Sequence, residues 1–186
     1  MHQSSVRILF ALIAVSLVAL LHTAPQADAA SAVEIDAKAN AAVKAFLDDV
    51  PAGKELMNKA AGVLIFPSVI KAGMVIGGEY GEGALRIDGY TVDYYSTASG
   101  SIGFQLGVQS KSIIILFMTK EALNSFRSSK GWEVGVDGSV AIITIGAGGS
   151  LDTTTIKEPI IGFIFDQKGI MGNLTLEGTK LTRIIR

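Results

Sequence analysis

The 186-residue sequence predicts an α+β domain, in which a strongly curved, glycine-rich antiparallel sheet or partly closed β-barrel carries N-terminal helices and one short internal helix. Three observations predict this architecture. Apolar residues recur at three- and four-residue steps around residue 40, whereas from Gly62 onward they alternate with polar residues. The chain also contains 21 glycines, and many of them fall inside the strand patterns, which indicates bends and bulges.

The first 29 residues have the pattern of a signal peptide. Arg7 precedes an apolar run from Ile8 to Leu21, and Ala27-Asp28-Ala29 has the form that signal peptidase cleaves. The run is shorter than the roughly 20 residues that a membrane-spanning helix needs. We therefore expect an exported protein, periplasmic or secreted, with one domain over 30–186. Because the chain has no cysteine, a lipid anchor attached through cysteine is excluded.

An N-terminal helix is predicted to begin at Ser31. Ser31 and Glu34 have the spacing of a capping box, in which each side chain accepts a hydrogen bond from the other residue's backbone N–H. The apolar residues that follow form one stripe: Ile35, Ala39, Ala42, Val43, Phe46, Leu47 and Val50. Such a stripe is typical of a helix packed on a core rather than lying on a membrane. Pro51 ends the helix, and a shorter one is predicted over 54–61.

The rest of the chain is predicted to be mainly strands. Polar and apolar residues alternate over 102–109, 134–140 and 173–177. Residues 113–118 and 160–165 are apolar throughout, which indicates strands covered on both faces. A short helix is predicted over 119–127, with Thr119 as its N-cap.

The residue inventory argues against catalysis. Both histidines, His2 and His22, lie in the predicted signal peptide, so the mature domain has neither histidine nor cysteine for nucleophilic catalysis or a transition-metal site. Glu79 and Glu82 face opposite sides of a regular strand, which argues against a convergent carboxylate pair. The glycines of 146–149 are not followed by a helix that would bind a phosphate. We therefore expect no enzyme, no cofactor and no metal site.

Charge distribution suggests a binding surface. The near-neutral chain, with 16 basic and 17 acidic residues, is a poor candidate for nucleic-acid binding. Residues 111–186 nevertheless carry a positive excess. The candidate lipid-headgroup residues bracket the short internal helix: Lys111, Lys120, Arg127 and Lys130. In a second basic group, strand alternation places Lys180 and Arg186 on one face and Arg183 on the other. The alternative interpretation is that these charges only solubilise the surface.

Several strings in order resemble the SYLF-domain family, which is also described as the actin-patch type. They are GVLIFPSVIKAG at 62–73, GGEYGEG at 77–83, SKSIIILFMTKEAL at 110–123, GWEVGVDGSV at 131–140 and KGIMGNLTLEGTKLTRI at 168–184. The resemblance runs from about Lys54 to the C-terminus. It implies lipid binding, because eukaryotic members bind phosphoinositides through a basic surface and an amphipathic N-terminal segment, and some bind actin. Exported bacterial members are usually stand-alone domains.

Together, the residues and the resemblance favour a non-enzymatic lipid- or membrane-surface-binding module of the bacterial envelope. Its expected partner is an anionic lipid or membrane surface; no actin is expected in this compartment, and no protein partner is identified. Recognition through basic side chains at the headgroup and through an acyl chain in a gap of the sheet both remain open. The alternatives are a protein-interaction or envelope scaffold domain and a hydrolase that uses carboxylates alone.

The cleavage pattern makes a direct prediction about processing. The mature protein is expected to begin at Ala30 or within a residue or two of it, because the small residues at positions 27 and 29 fit the cleavage site. Intact-mass measurement of the exported protein checks this, and a retained segment 8–21 would contradict it.

Overall fold

The computed structural model describes residues 30–73, 76–102, 108–146, 157–169 and 175–186. Over these ranges the chain forms three helices, α1 (Ala32–Asp49), α2 (Gly53–Lys59) and α3 (Lys120–Ser128). It also forms eight strands: β1 (Gly62–Gly73), β2 (Ile76–Ile87), β3 (Tyr90–Ile102), β4 (Val108–Phe117), β5 (Trp132–Glu133), β6 (Ala141–Thr144), β7 (Ile160–Lys168) and β8 (Lys180–Ile184). The predicted α+β class is confirmed.

All eight strands belong to one sheet, in the order β5-β8-β3-β2-β1-β4-β7-β6. Every described pairing is antiparallel except that of β6 with β7, which is parallel. The sheet is therefore mixed rather than wholly antiparallel. It curls into a half-barrel, which confirms the predicted strong curvature.

One face of the sheet, the inner face, surrounds a core to which both ends of the strand order contribute. Leu181 of β8 and Ile164 of β7 belong to the same buried cluster, so the curl brings distant strands around common side chains. Helix α3 covers this core with Phe126. The Phe126 ring lies 4.7 Å from Phe117, 4.8 Å from Tyr95 and 5.8 Å from Trp132, measured between centroids. These aromatic contacts attach α3 to the inner face.

The opposite, outer face is covered by α1 and α2. Most of the predicted stripe is buried there, and the Phe46 ring lies 4.9 Å from Phe163 and 5.6 Å from Phe165. Ser31 caps α1, since its hydroxyl accepts a hydrogen bond from the Glu34 N–H at 3.2 Å. The Glu34 carboxylate pairs with Lys38 instead of completing the capping box.

Strands β1 and β4 lie at the centre and explain the apolar runs. Residues 113–117 are all buried because α1 and α3 cover opposite faces of β4, as the sequence predicted. In β1 the register shifts at Pro67–Ser68 against both neighbours. Proline has no N–H for the ladder, and the extra residue of this bulge moves Val69 and Lys71 onto the inner face.

Two of the predicted strands are wrong over their described residues. Residues 134–140 contain a turn, in which Gly135 has φ of +88° and the Asp137 carboxylate accepts a hydrogen bond from the Glu133 N–H at 2.7 Å. Residues 177–178 also form a turn, and the strand begins only at Lys180. In both places local hydrogen bonds and a left-handed glycine override the alternation. Most of the strand predicted at 102–109 lies outside the described residues.

Packing of Phe46 predicts a stability effect. Replacing Phe46 with alanine is expected to lower the free energy of unfolding by about 3–5 kcal/mol, because it removes a fully buried ring that joins α1 to β7. Urea denaturation measures the change. Val33→Ala, an exposed position on the same helix, is the control and should change the free energy by less than about 0.5 kcal/mol. Equal effects of the two substitutions would contradict the packing described.

Candidate functional site

The structure separates Lys111 from the other predicted headgroup residues. Lys111 points to the inner face of β4, has 2% of its side-chain surface exposed and pairs with Glu79 at 2.7 Å. It therefore does not belong to the exposed surface that the sequence predicted, because its side chain is enclosed in an ion pair on the inner face. Lys120, Arg127 and Lys130 are exposed. Lys120 lies two helical turns before Arg127 on the same side of α3, and Lys130 follows the helix.

Arg127 and Arg183 meet at one carboxylate. Asp93 of β3 has 3% of its side-chain surface exposed, and its Oδ2 accepts a hydrogen bond from Arg127 Nη2 at 3.2 Å. Its Oδ1 pairs with Arg183 Nη2. Strand pairing explains the meeting, because β8 lies beside β3 and Tyr95 is the direct partner of Arg183. We call Asp93, Arg127 and Arg183 the arginine site.

The arginine site carries a net charge of +1 with unused donors. Each guanidinium has five N–H groups, and the side chains of Arg127 and Arg183 keep 40% and 65% of their surfaces exposed. The neighbouring phenol responds to the same charges: burial and the negative charge of Asp93 raise the pKa of Tyr95, and the two arginines partly oppose this rise. The site therefore presents two adjacent, anchored cations to solvent.

A cleft with charged and apolar lining residues lies beside Arg183. A shallow cleft of about 510 Å³ is lined by Val92, Asp93, Tyr94, Arg183, Ile184, Ile185 and Arg186. Of its apolar lining residues, Ile185 is almost fully exposed and Val92 is exposed as well. The cleft thus places the charge of Arg183 beside uncovered apolar groups.

The third basic residue of the β8 segment, Arg186, is directed elsewhere. It pairs with Glu82 on the outer face, where Tyr80 also donates to Glu82 at 2.7 Å. Burial by itself raises the pKa of Glu82, but hydrogen bonds from Arg186, Tyr80 and the Ala30 backbone outweigh it and lower the pKa below its usual range. Arg183 and Arg186 therefore separate, as strand alternation predicted, and so do Glu79 and Glu82.

Among the described residues, no helix combines the length and apolar character needed to cross a bilayer. Within the same ranges, no three acidic, histidine or cysteine side chains form a group suited to a metal ion.

Residues 98–184 match the family model Ysc84, which is described as Las17-binding protein actin regulator. This stretch belongs to the Ysc84 (SYLF) family. The SYLF match includes the resembling strings at 110–123 and 131–140 and contains both Arg127 and Arg183. The strings at 62–73 and 77–83, and Asp93, precede it. No curated protein matches the chain.

Asp93 was not selected from the sequence, and Arg183 was named only in the second basic group, not among the headgroup residues. The available signal for Asp93 was an acidic residue in the aromatic stretch YTVDYY at 90–95, where a buried carboxylate requires a partner. Nothing in the spacing identifies that partner, because Arg183 is 90 positions away along the chain.

Sharing of one carboxylate predicts a non-additive mutational response. Arg127→Met or Arg183→Met alone should cost at most about 1 kcal/mol of unfolding free energy, since the other arginine still pairs with Asp93. The double variant leaves a buried charge unpaired and should cost about 3–5 kcal/mol. Adding Asp93→Asn to the double variant should restore most of that loss. Strictly additive effects in urea denaturation would contradict the shared pairing.

Proposed function

We propose that this SYLF domain is a non-enzymatic module that binds anionic lipid surfaces through its arginine site. The observation that carries the proposal is the pair of half-exposed arginines anchored on buried Asp93 beside exposed apolar side chains. The family is described by binding and regulation rather than by a reaction, which supports a binding role.

Arginine chemistry supports a phosphate-bearing headgroup. A guanidinium presents a planar fork of donors that matches phosphate oxygens, and it gives up its hydration more readily than an ammonium does. Holding two forks against Asp93 reduces the side-chain entropy that binding would otherwise remove. Lys120 and Lys130 extend the positive surface along α3.

The exposed apolar residues support contact with a membrane rather than with a soluble phosphate alone. Val92 and Ile185 line the same cleft as Arg183. When Arg183 binds a lipid headgroup, these two side chains would therefore lie near the boundary between the headgroups and the acyl chains of the membrane. Charge would then set the approach, and apolar burial would add to the affinity.

The cellular setting follows from the signal-peptide pattern. An exported chain with this surface would act at the envelope, on the anionic phospholipids of that compartment. The description of the family as Las17-binding and actin-regulating favours a second candidate, in which the same arginine site binds an acidic segment of a protein partner. Vesicle binding separates the two.

Vesicle binding tests the proposal with a variant that removes both cations without leaving a buried charge. Asp93→Asn/Arg127→Gln/Arg183→Gln is expected to bind vesicles of phosphatidylglycerol and phosphatidylcholine about thirtyfold more weakly than the unmodified protein. Two basic residues at about 1 kcal/mol each give this factor. Co-sedimentation measures the affinity, and high salt should weaken binding by the unmodified protein because exposed charges are screened.

Two matched controls define the outcome. Asp93→Asn alone removes the anchor but keeps both arginines, so it should weaken binding less than the triple variant does. Lys44→Gln/Lys59→Gln removes two exposed lysines from the outer-face helices and should retain binding. Equal binding by the triple variant, or no preference for anionic vesicles, would contradict a lipid-binding arginine site. Binding of an acidic peptide without any vesicle binding would favour the second candidate.

A further inference from the structure

A second ionic cluster lies on the inner face, and its side chains are much more enclosed than those of the arginine site. Lys111 Nζ lies 2.7 Å from Glu79 Oε2, and Lys71 Nζ lies 3.4 Å from Glu79 Oε1. The exposed fractions of the three side chains are 2% for Lys111, 11% for Glu79 and 13% for Lys71. We call these residues the lysine site.

Strand register explains why the three side chains converge. Lys71 of β1 is the direct partner of Glu79 in β2 and of Gln109 in β4. Lys111 is one step along the inner face of β4 from Gln109, opposite Val69. Polar side chains thus occupy one end of an inner face whose middle is apolar.

The charge of the lysine site is not balanced within the described residues. Glu79 is the one carboxylate there that pairs with Lys71 or Lys111, which leaves a net charge of +1 at a largely buried position. On neighbouring β7, Asp166 pairs instead with exposed Lys168. Uncompensated buried charge is costly. A bound anion would remove this cost.

We propose that Lys71 and Lys111 bind a single phosphate group on the inner face of the half-barrel. Two ammonium groups offer six N–H donors, and Glu79 occupies one on each. The remaining donors and the net charge of +1 match a phosphate monoanion. Glu79 acts as the positioning residue that holds the two ammonium groups together.

The lysine site is independent of the proposed membrane contact. Lys71 and Asp93 lie about six residues apart along the strand direction, since Asp93 pairs with Leu85 and Glu79 pairs with Lys71. At about 3.3 Å per residue this is about 20 Å. The phosphate comes either from a lipid headgroup or from a free phosphate compound, and the experiment distinguishes these sources.

Titration with inorganic phosphate at constant ionic strength tests the proposal. Calorimetry of the unmodified protein should show saturable binding, and phosphate should raise its melting temperature. Lys71→Met should weaken phosphate binding at least tenfold. That variant keeps the neutral Lys111–Glu79 pair and is expected to fold. Lys168→Met, which removes an exposed lysine, should bind phosphate like the unmodified protein.

Glu79→Gln separates a binding role from a purely structural ion pair. The variant leaves two buried ammonium groups without a carboxylate, so its melting temperature should fall. Phosphate should then raise the melting temperature of the variant by more than it raises that of the unmodified protein. Absence of saturable binding to the unmodified protein, equal binding by Lys71→Met, or no rescue of Glu79→Gln would each overturn the proposal. The absence of saturable binding is measured on the unmodified protein, so this outcome does not depend on whether a variant folds.

The source of the phosphate is identified with the arginine-site variant Asp93→Asn/Arg127→Gln/Arg183→Gln. If its residual binding to phosphatidic acid vesicles is competed by inorganic phosphate, the lysine site takes a lipid headgroup. If phosphate binds this variant in solution and the vesicles do not, the site takes a free phosphate compound. Both results support a phosphate site. Because both are measured on a variant without the two arginines, they distinguish the two sources of phosphate whether or not the arginine site binds membranes.

Discussion

The rest of the structure depends on the alternation of side chains between the two faces of the central strands. The bulge at Pro67–Ser68 shifts this alternation in β1 by one residue. Without the extra residue, Val69 and Lys71 would point to the outer face, and the alternation of β1 would disagree with that of β2 and β4. With it, every strand sends apolar side chains to the middle of the inner face, where α3 covers them. Charged groups are therefore confined to the two ends of that face.

At both ends the same arrangement recurs, in which two cations share one buried carboxylate. The consequences differ because the cations differ in type and enclosure. Arginines at the Asp93 end extend into solvent and keep most of their donors free, which suits a surface that meets a partner. Lysines at the Glu79 end are enclosed by neighbouring strands, and an enclosed excess charge favours a small anion over a large surface. The inner face thus supports two binding proposals that differ in the size of their ligands.

Local patterns were sufficient wherever the neighbours of a residue in sequence determine its environment. The Ser31 and Thr119 caps, the α1 stripe and the doubly covered β4 all followed from spacing. The turn at 134–140 did not, because a left-handed glycine and the Asp137 side chain outweigh the alternation. Lys111 was assigned to the surface by counting charges, although its two-residue spacing from Ile113 and Ile115 places it on the same face as these residues of a strand predicted to be covered on both faces. The pairing of Asp93 with Arg183 depends on the contact of β3 with β8, which no spacing reveals.

The family match and the fold also differ in extent, and the difference has a physical meaning. Residues 98–184 supply the end of β3, all of β4 and α3, and β5 to β8, but β1 and β2 lie between β3 and β4 in the sheet. The matched stretch alone would lack β1, β2 and most of β3 and would leave the inner-face core open, and the arginine site would lose Asp93. The lysine site would lose both Lys71 and Glu79. The matched stretch is therefore one part of the half-barrel, and the preceding strands contribute residues both to the core and to each proposed site.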